Sequence, residues 1–151
     1  MKRVYQYILL LISMVLFGCS AANLVVDPYS DLEITANHNI NPDSNGRPSA
    51  VAVYVFEFPS NTLFGSQDFF SIYEESEKVL GPDLVNKYEI SLTRGQKETY
   101  QASMSPKTEY LGIVAAFRDI ENSNWRQVIE VDKTGYNTYQ ILLEDLSLVV
   151  K

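Results

Sequence analysis

SAVAVYVFEF, residues 49–58, is apolar at both odd and even positions and is broken only by Glu57. A strand with one wet face alternates apolar and polar residues, whereas a run like this one is covered on both faces. Ser49–Phe58 is therefore expected to be a central strand. Tyr110–Phe117 (YLGIVAAF) has the same character with smaller side chains, and it is expected to lie centrally too. Around these two runs the period is two. Leu32, Ile34, Ala36 and His38 share one face of a half-buried strand. Tyr88, Ile90 and Leu92 share a face of the next, and Glu98, Tyr100, Ala102 and Met104 a face of another. Trp125–Val131 reads as a further strand. In the last segment the apolar phase shifts from Tyr139, Ile141 and Leu143 to Leu146, Leu148 and Val150, so a bulge or tight turn is expected at Glu144-Asp145. Arg94-Gly95, Ser105-Pro106 and Glu121–Asn124 supply turns. Seven or so short strands separated by such turns indicate a mainly β chain folded as a β-sandwich.

One segment breaks the pattern. In Gly65–Leu80, Phe69, Ile72, Tyr73, Ser76, Val79 and Leu80 fall at helical spacing and form one apolar stripe. A helical insert is expected over about 66–81, with Ser66 capping it and Asp68 in its first turn. Ser71 with Glu74 offers a second capping box and a place for the helix to break. Gly81-Pro82 ends it. Glu74, Glu75 and Glu77 occupy the polar side and read as a solvated face. The ten residues Asn39–Pro48 (NINPDSNGRP) are rich in Asn, Asp, Gly and Pro and form the loop between the first two strands.

The N-terminus carries a different signal. Lys2 and Arg3 precede 14 uncharged residues, Val4–Phe17, and then Gly18-Cys19. Crossing a bilayer takes about 20 apolar residues, so this is the layout of a secretion signal. Leu16-Phe17-Gly18-Cys19 resembles the lipobox of bacterial lipoproteins. That resemblance implies cleavage after Gly18, with Leu16 and Gly18 read by the peptidase, and a lipid on the Cys19 thiol. Ser20, in place of Asp, implies export to the outer membrane. Residues 1–18 are thus expected to be signal, 19–30 the lipidated end and tether, and 31–151 one folded domain. Cys19 is the only cysteine, so no disulfide is expected. Without Lys2 and Arg3, ten basic residues face 19 acidic ones, a net charge of −9. Such a domain repels nucleic acid and anionic lipid, and its tether rather than its surface has to hold it at a membrane.

Catalytic apparatus is hard to find. A single histidine, His38, excludes a multi-histidine metal site and is expected to be packed, hydrogen-bonded or loop-supporting rather than catalytic. No thiol remains after lipidation, and no Gly-rich phosphate loop follows a strand. Glu57 is expected either to end its strand or to pair with a base such as Arg118. Arg118-Asp119 could form a local ion pair. The chain is read as a non-enzyme with no cofactor beyond the lipid on Cys19.

Asn41-Pro-Asp43 followed by Gly46-Arg-Pro-Ser49 resembles the outer-membrane lipoprotein family of the type VI secretion system (TssJ). Asp68–Glu74, Val79–Gly81 with Asp83-Leu84, and Tyr110–Asp119 followed by Trp125-Arg126 extend the resemblance in order. It implies a transthyretin-like β-sandwich with a small helical insert. It also implies a lipoprotein on the inner leaflet of the outer membrane, facing the periplasm, which binds the periplasmic C-terminal region of the large inner-membrane component (TssM). The first interstrand loop is linked to that contact, and here Asn41, Asp43, Asn45 and Arg47 are the expected contacts. The alternative is a generic periplasmic lipoprotein that binds another envelope protein or a small ligand.

Overall fold

The computed structural model describes residues 27–133 and 135–151. Two four-stranded sheets make up the sandwich. The strands are β1 (Tyr29–Ala36), β2 (Val51–Phe58), β3 (Asn86–Leu92), β4 (Lys97–Ser103), β5 (Tyr110–Ala116), β6 (Arg126–Glu130), β7 (Tyr136–Glu144) and β8 (Ser147–Val150). One sheet has the order β4-β1-β7-β8 and the other β3-β2-β5-β6. Only β1 and β7 run parallel; every other pair is antiparallel.

The two-sided character of β2 has a direct structural cause. Val51, Val53 and Val55 point between the sheets, where they meet Leu32, Ile34 and Ile141. Tyr54, Phe56 and Phe58 point the other way, into a second core beneath two helices, α1 (Asn61–Ser66) and α2 (Phe69–Leu80). β5 divides likewise, with Leu111, Ile113 and Ala115 inward and Val114 outward. The outer face of the β1 sheet has no such cover, so Asp31, Glu33 and Thr35 alternate with buried residues there.

The helical insert begins at Asn61, earlier than the expected 66, because Ser60 caps α1 by accepting from the Thr62 amide. Ser66 is the last residue of α1 rather than a cap. The chain breaks at Gln67, and Asp68 caps α2: its carboxylate accepts from the Ser71 amide at 3.1 Å and the Ser71 hydroxyl at 2.8 Å. These bonds hold the Asp68 carboxyl below the ordinary carboxylate value. A second irregularity falls at Glu75, whose φ of −125° is not helical. Phe69, Ile72, Ser76 and Leu80 of the expected stripe are buried, while Tyr73 stacks on Phe69 at 5.2 Å and meets Tyr54 edge-on. Arg126 holds the insert from below, its guanidinium donating to the Phe64 and Gln67 carbonyls at 2.8 and 2.9 Å. Those are the carbonyls a helix end leaves unpaired.

One strand boundary shifts, and the expected turn near the C-terminus is present. β1 begins at Tyr29, two residues before the expected domain start at 31, because Pro28 is already buried and its carbonyl accepts from the Met104 amide. The expected slip at Glu144-Asp145 is the turn between β7 and β8, where Glu144 pairs with Ser147.

Candidate functional site

Asn39–Pro48 caps one pole of the sandwich and carries the expected contact residues. Its ends are pinned: the Ser49 amide donates to the Ile40 carbonyl at 3.1 Å, and Ile40 is fully buried in the main core. Within it Asp43 organises the tip. One of its carboxylate oxygens accepts from the amides of Asn45 and Arg47 at 2.8 and 2.9 Å. The other accepts from Arg47 Nε at 2.9 Å, and the Arg47 guanidinium also pairs with it through NH2 at 2.9 Å. The backbone adds Asp43 N–H to the Arg47 carbonyl and Gly46 N–H to the Asp43 carbonyl. The amides of Arg47 and Asn45, in that order, keep the Asp43 carboxyl below its ordinary value. The tip is thus closed before any partner arrives, with Asn45 and Arg47 exposed and Asp43 half-buried.

Asn41 corrects the expectation for it. It is 2% exposed and turned into the protein. Its Nδ2 donates to the Ala50 carbonyl at 2.6 Å and its Oδ1 accepts from the Arg118 amide at 2.7 Å. Its backbone adopts a φ of +48°, a left-handed conformation that Asn tolerates better than most residues. Asn41 therefore anchors the loop, and of the other expected contacts Asn45 and Arg47 are exposed and Asp43 is half-buried. The sequence held a hint, since an Asn before Pro in a turn-rich stretch serves as readily in backbone capping as in recognition.

Three other turns share this pole. The β3–β4 turn reaches the loop through Gly95 N–H to the Asn37 carbonyl and Ala36 N–H to the Gln96 carbonyl. His38 is exposed, and its ring lies over Gly95: a Cβ there would come within 2.9 Å of His38 Cε1, and Gly95 has a φ of +71°. The β5–β6 loop joins through Arg118, and the β7–β8 turn through Asp145.

Glu57 lies at the opposite pole, away from Arg118. It is 2% exposed and bonded to Thr108 Oγ1 at 2.8 Å and Asn86 Nδ2 at 3.2 Å. The phenol of Tyr100 is pushed up to about 12 by burial and then by the Glu57 charge. Asn86, Thr108 and Tyr100 come from three separated segments, so the sequence offered no pattern from which to find them. Arg118 and Asp119 make no ion pair with each other among the described residues; Asp119 instead accepts from Asn122. Glu74, Glu75 and Glu77 are exposed, and Glu75 pairs with Lys78 at 2.8 Å, as a solvated face would. No group of three metal-ligating side chains occurs among the described residues. Leu16, Gly18 and Cys19 lie outside the described residues, as does most of the expected tether.

Comparison with known proteins follows this geometry closely. Residues 28–146 match the family described as Type VI secretion lipoprotein, VasD, EvfM, TssJ. No curated protein matches the chain. The chain is similar to the T6SS lipoprotein TssJ1 from Pseudomonas aeruginosa, with a TM-score of 0.81 and 27% identity over 83% of this chain and 95% of that one. Serratia marcescens Lip, a membrane-bound component of the type VI secretion system, gives a TM-score of 0.77 at 20% identity over 83% and 97% of the two chains. A chain of the structure described as T6SS protein TssM C-terminal domain (869-1107) from EAEC gives 0.69 at 20% identity over 82% and 97%. The last two likenesses are of fold.

Proposed function

The chain belongs to the type VI secretion lipoprotein family, and from that premise we propose that it is an outer-membrane-anchored member of the secretion membrane complex which binds the periplasmic region of TssM through the loop Asn39–Pro48. The anchor is the lipid on Cys19, added after cleavage behind Gly18. The protein sits on the inner leaflet and faces the periplasm, and its part is binding rather than catalysis.

One observation carries this reading. β1 starts at Tyr29, where the chain arrives from the anchor side, and ends at Ala36, where the loop begins. Eight residues of strand span about 26 Å. The prebuilt loop therefore stands at the pole opposite the one where the chain arrives, which supports a contact deeper in the periplasm. Ten residues separate Cys19 from Tyr29, a reach of at most about 35 Å, so the anchor keeps the domain near its membrane. The family match and a chain of this fold in the structure described as the TssM C-terminal domain support the partner.

The test uses the full chain expressed in its own envelope. Cys19→Ser should release it from the membrane fraction. The combined change Asp43→Ala, Asn45→Ala and Arg47→Ala should leave it anchored and folded while TssM no longer co-purifies. Retention of Cys19→Ser in the membrane would overturn the anchor. Undiminished TssM recovery by the triple variant would move the contact off the loop.

A further inference from the structure

Four arginines lie among the described residues. Arg126 is spent on the insert, as above. The other three, Arg47, Arg94 and Arg118, are all exposed, and all stand at the loop pole of a chain with a net charge of −7. Their grouping follows from topology. β3 and β5 flank β2 on either side. Arg94 lies two residues past the end of β3, and Arg118 two residues past the end of β5, at the same level of the sheet: Val51 pairs with Leu92 and Ala52 with Ala116. Two strand spacings separate the two exits by about 10 Å. The loop carrying Arg47 runs into β2 between them.

These positions are fixed by backbone. Arg118 is held by its amide on Asn41, and the Arg94 turn by the amide of Gly95 on Asn37. Their side chains are not consumed by these bonds. Neither guanidinium has a carboxylate within ion-pair distance among the described residues, and Arg47 keeps 76% of its side chain exposed while paired with Asp43. Arg118 is close enough to Asp43 to act on its charge. Of the acids at this pole, Asp43 is engaged by Arg47 and Asp119 by Asn122, while Glu144 and Asp145 in the turn leading to β8 and Glu121 in the loop leading to β6 belong to the side away from β3. The unpaired guanidinium groups thus gather over β3, β2 and β5, where the two acids present are already engaged, and the remaining acids lie over β6 and β8.

We propose that this basic patch, formed by Arg47, Arg94 and Arg118, is the recognition surface, and that it takes carboxylate side chains on an acidic segment of the protein partner. This rests on the function proposed above and names the chemistry of its contact. Arginine suits such a site because its planar fork binds carboxylates in pairs of hydrogen bonds and is only weakly hydrated. A partner protein fits better than a lipid surface, because this pole is the one farther from where the chain arrives from its anchor. The overall charge of the domain pointed to basic groups on the partner; the placement of the arginines reverses that expectation locally.

The experiment uses the full lipidated chain in detergent and the purified periplasmic region of TssM from the same bacterium. Affinity is measured between 50 and 300 mM salt, about the range over which exposed charges become screened. Arg94→Glu and Arg118→Glu are each expected to weaken binding at least about tenfold at low salt, as reversal of an interface charge does. Lys107→Glu, at the opposite pole, serves as the control and is expected to bind as the parent chain does. Because Arg118 is anchored through its backbone amide, Arg118→Glu leaves the Asn41 bond in place, and unchanged thermal unfolding confirms that. Parent-level binding by both arginine variants, or equal loss in Lys107→Glu, overturns the inference while leaving TssM as partner. Failure of the parent chain to bind TssM overturns the function itself.

Discussion

The backbone amide of Asn41 donates to the carbonyl of Asp145 at 2.7 Å, and these two are the only described non-glycine residues with positive φ, +48° and +39°. Two residues in a costly conformation thus meet across the pole, one in the β1–β2 loop and one in the turn joining β7 to β8. Asn41 extends the clasp through its side chain to Ala50 and Arg118. Loops that are far apart in sequence become one rigid platform, and rigidity of this kind spares a binding surface the entropy of ordering.

Asn41→Ala should therefore act on stability first. It removes two part-buried hydrogen bonds, to the Arg118 amide and the Ala50 carbonyl, a cost of about 1–2 kcal/mol, read as a lower urea midpoint. Asn41→Gly keeps the left-handed backbone accessible and should lose less. If Asn41→Ala unfolds like the parent chain while losing the partner, Asn41 is a contact after all.

Asp43 supplies a pH dependence. Its carboxyl titrates below the ordinary value of 3.8 because the folded loop surrounds the carboxylate with donors. A depressed folded value means that the stabilisation is present above the unfolded value and is lost as pH falls through the folded one. The amide resonances of Asn45 and Arg47 should hold steady as pH falls to 3.8 and shift only below it. In Asp43→Asn they should be displaced at neutral pH already. Movement of the parent resonances well above 3.8 would contradict the geometry of the tip.

At the opposite pole the sign reverses. The Tyr100 phenol is raised to about 12. Its neutral form is favoured in the folded state, so its contribution is whole below the ordinary value of 10 and lost as pH rises through about 12. Alkaline unfolding of the parent chain should steepen across that window, and Tyr100→Phe should flatten it. Identical alkaline profiles would remove Tyr100 from the account.

Gly112 tests the second core. A Cβ there would lie 2.6 Å from Phe64 Cζ and 2.7 Å from Phe58 Cε1, deep under α1. Gly112→Ala should cost about 1–3 kcal/mol by overpacking, and adding Phe64→Leu should recover part of it. Full stability of Gly112→Ala would mean that the insert rides loosely on the sheet.

The sequence by itself determined the parts of this protein that depend on period and local chemistry. Alternation along Leu32–Ala36 and unbroken apolarity along Val51–Phe56 gave strands with one and two covered faces, because side-chain direction alternates along a strand wherever it lies. Helical spacing from Phe69 to Leu80 gave the insert. Only its start escaped, because Asn61–Ser66 buries a single residue, Phe64, and so has no stripe to read. Tertiary structure alone decided which residues are neighbours across the fold. The carboxylate of Glu57 chose Asn86 and Thr108 over Arg118, since strand pairing put the first two at its pole and Arg118 at the other. It turned Asn41 inward as an anchor and brought Arg47, Arg94 and Arg118 to one side of one pole. Those outcomes depend on pairing between segments far apart in sequence, and neither local propensity nor periodicity carries that information.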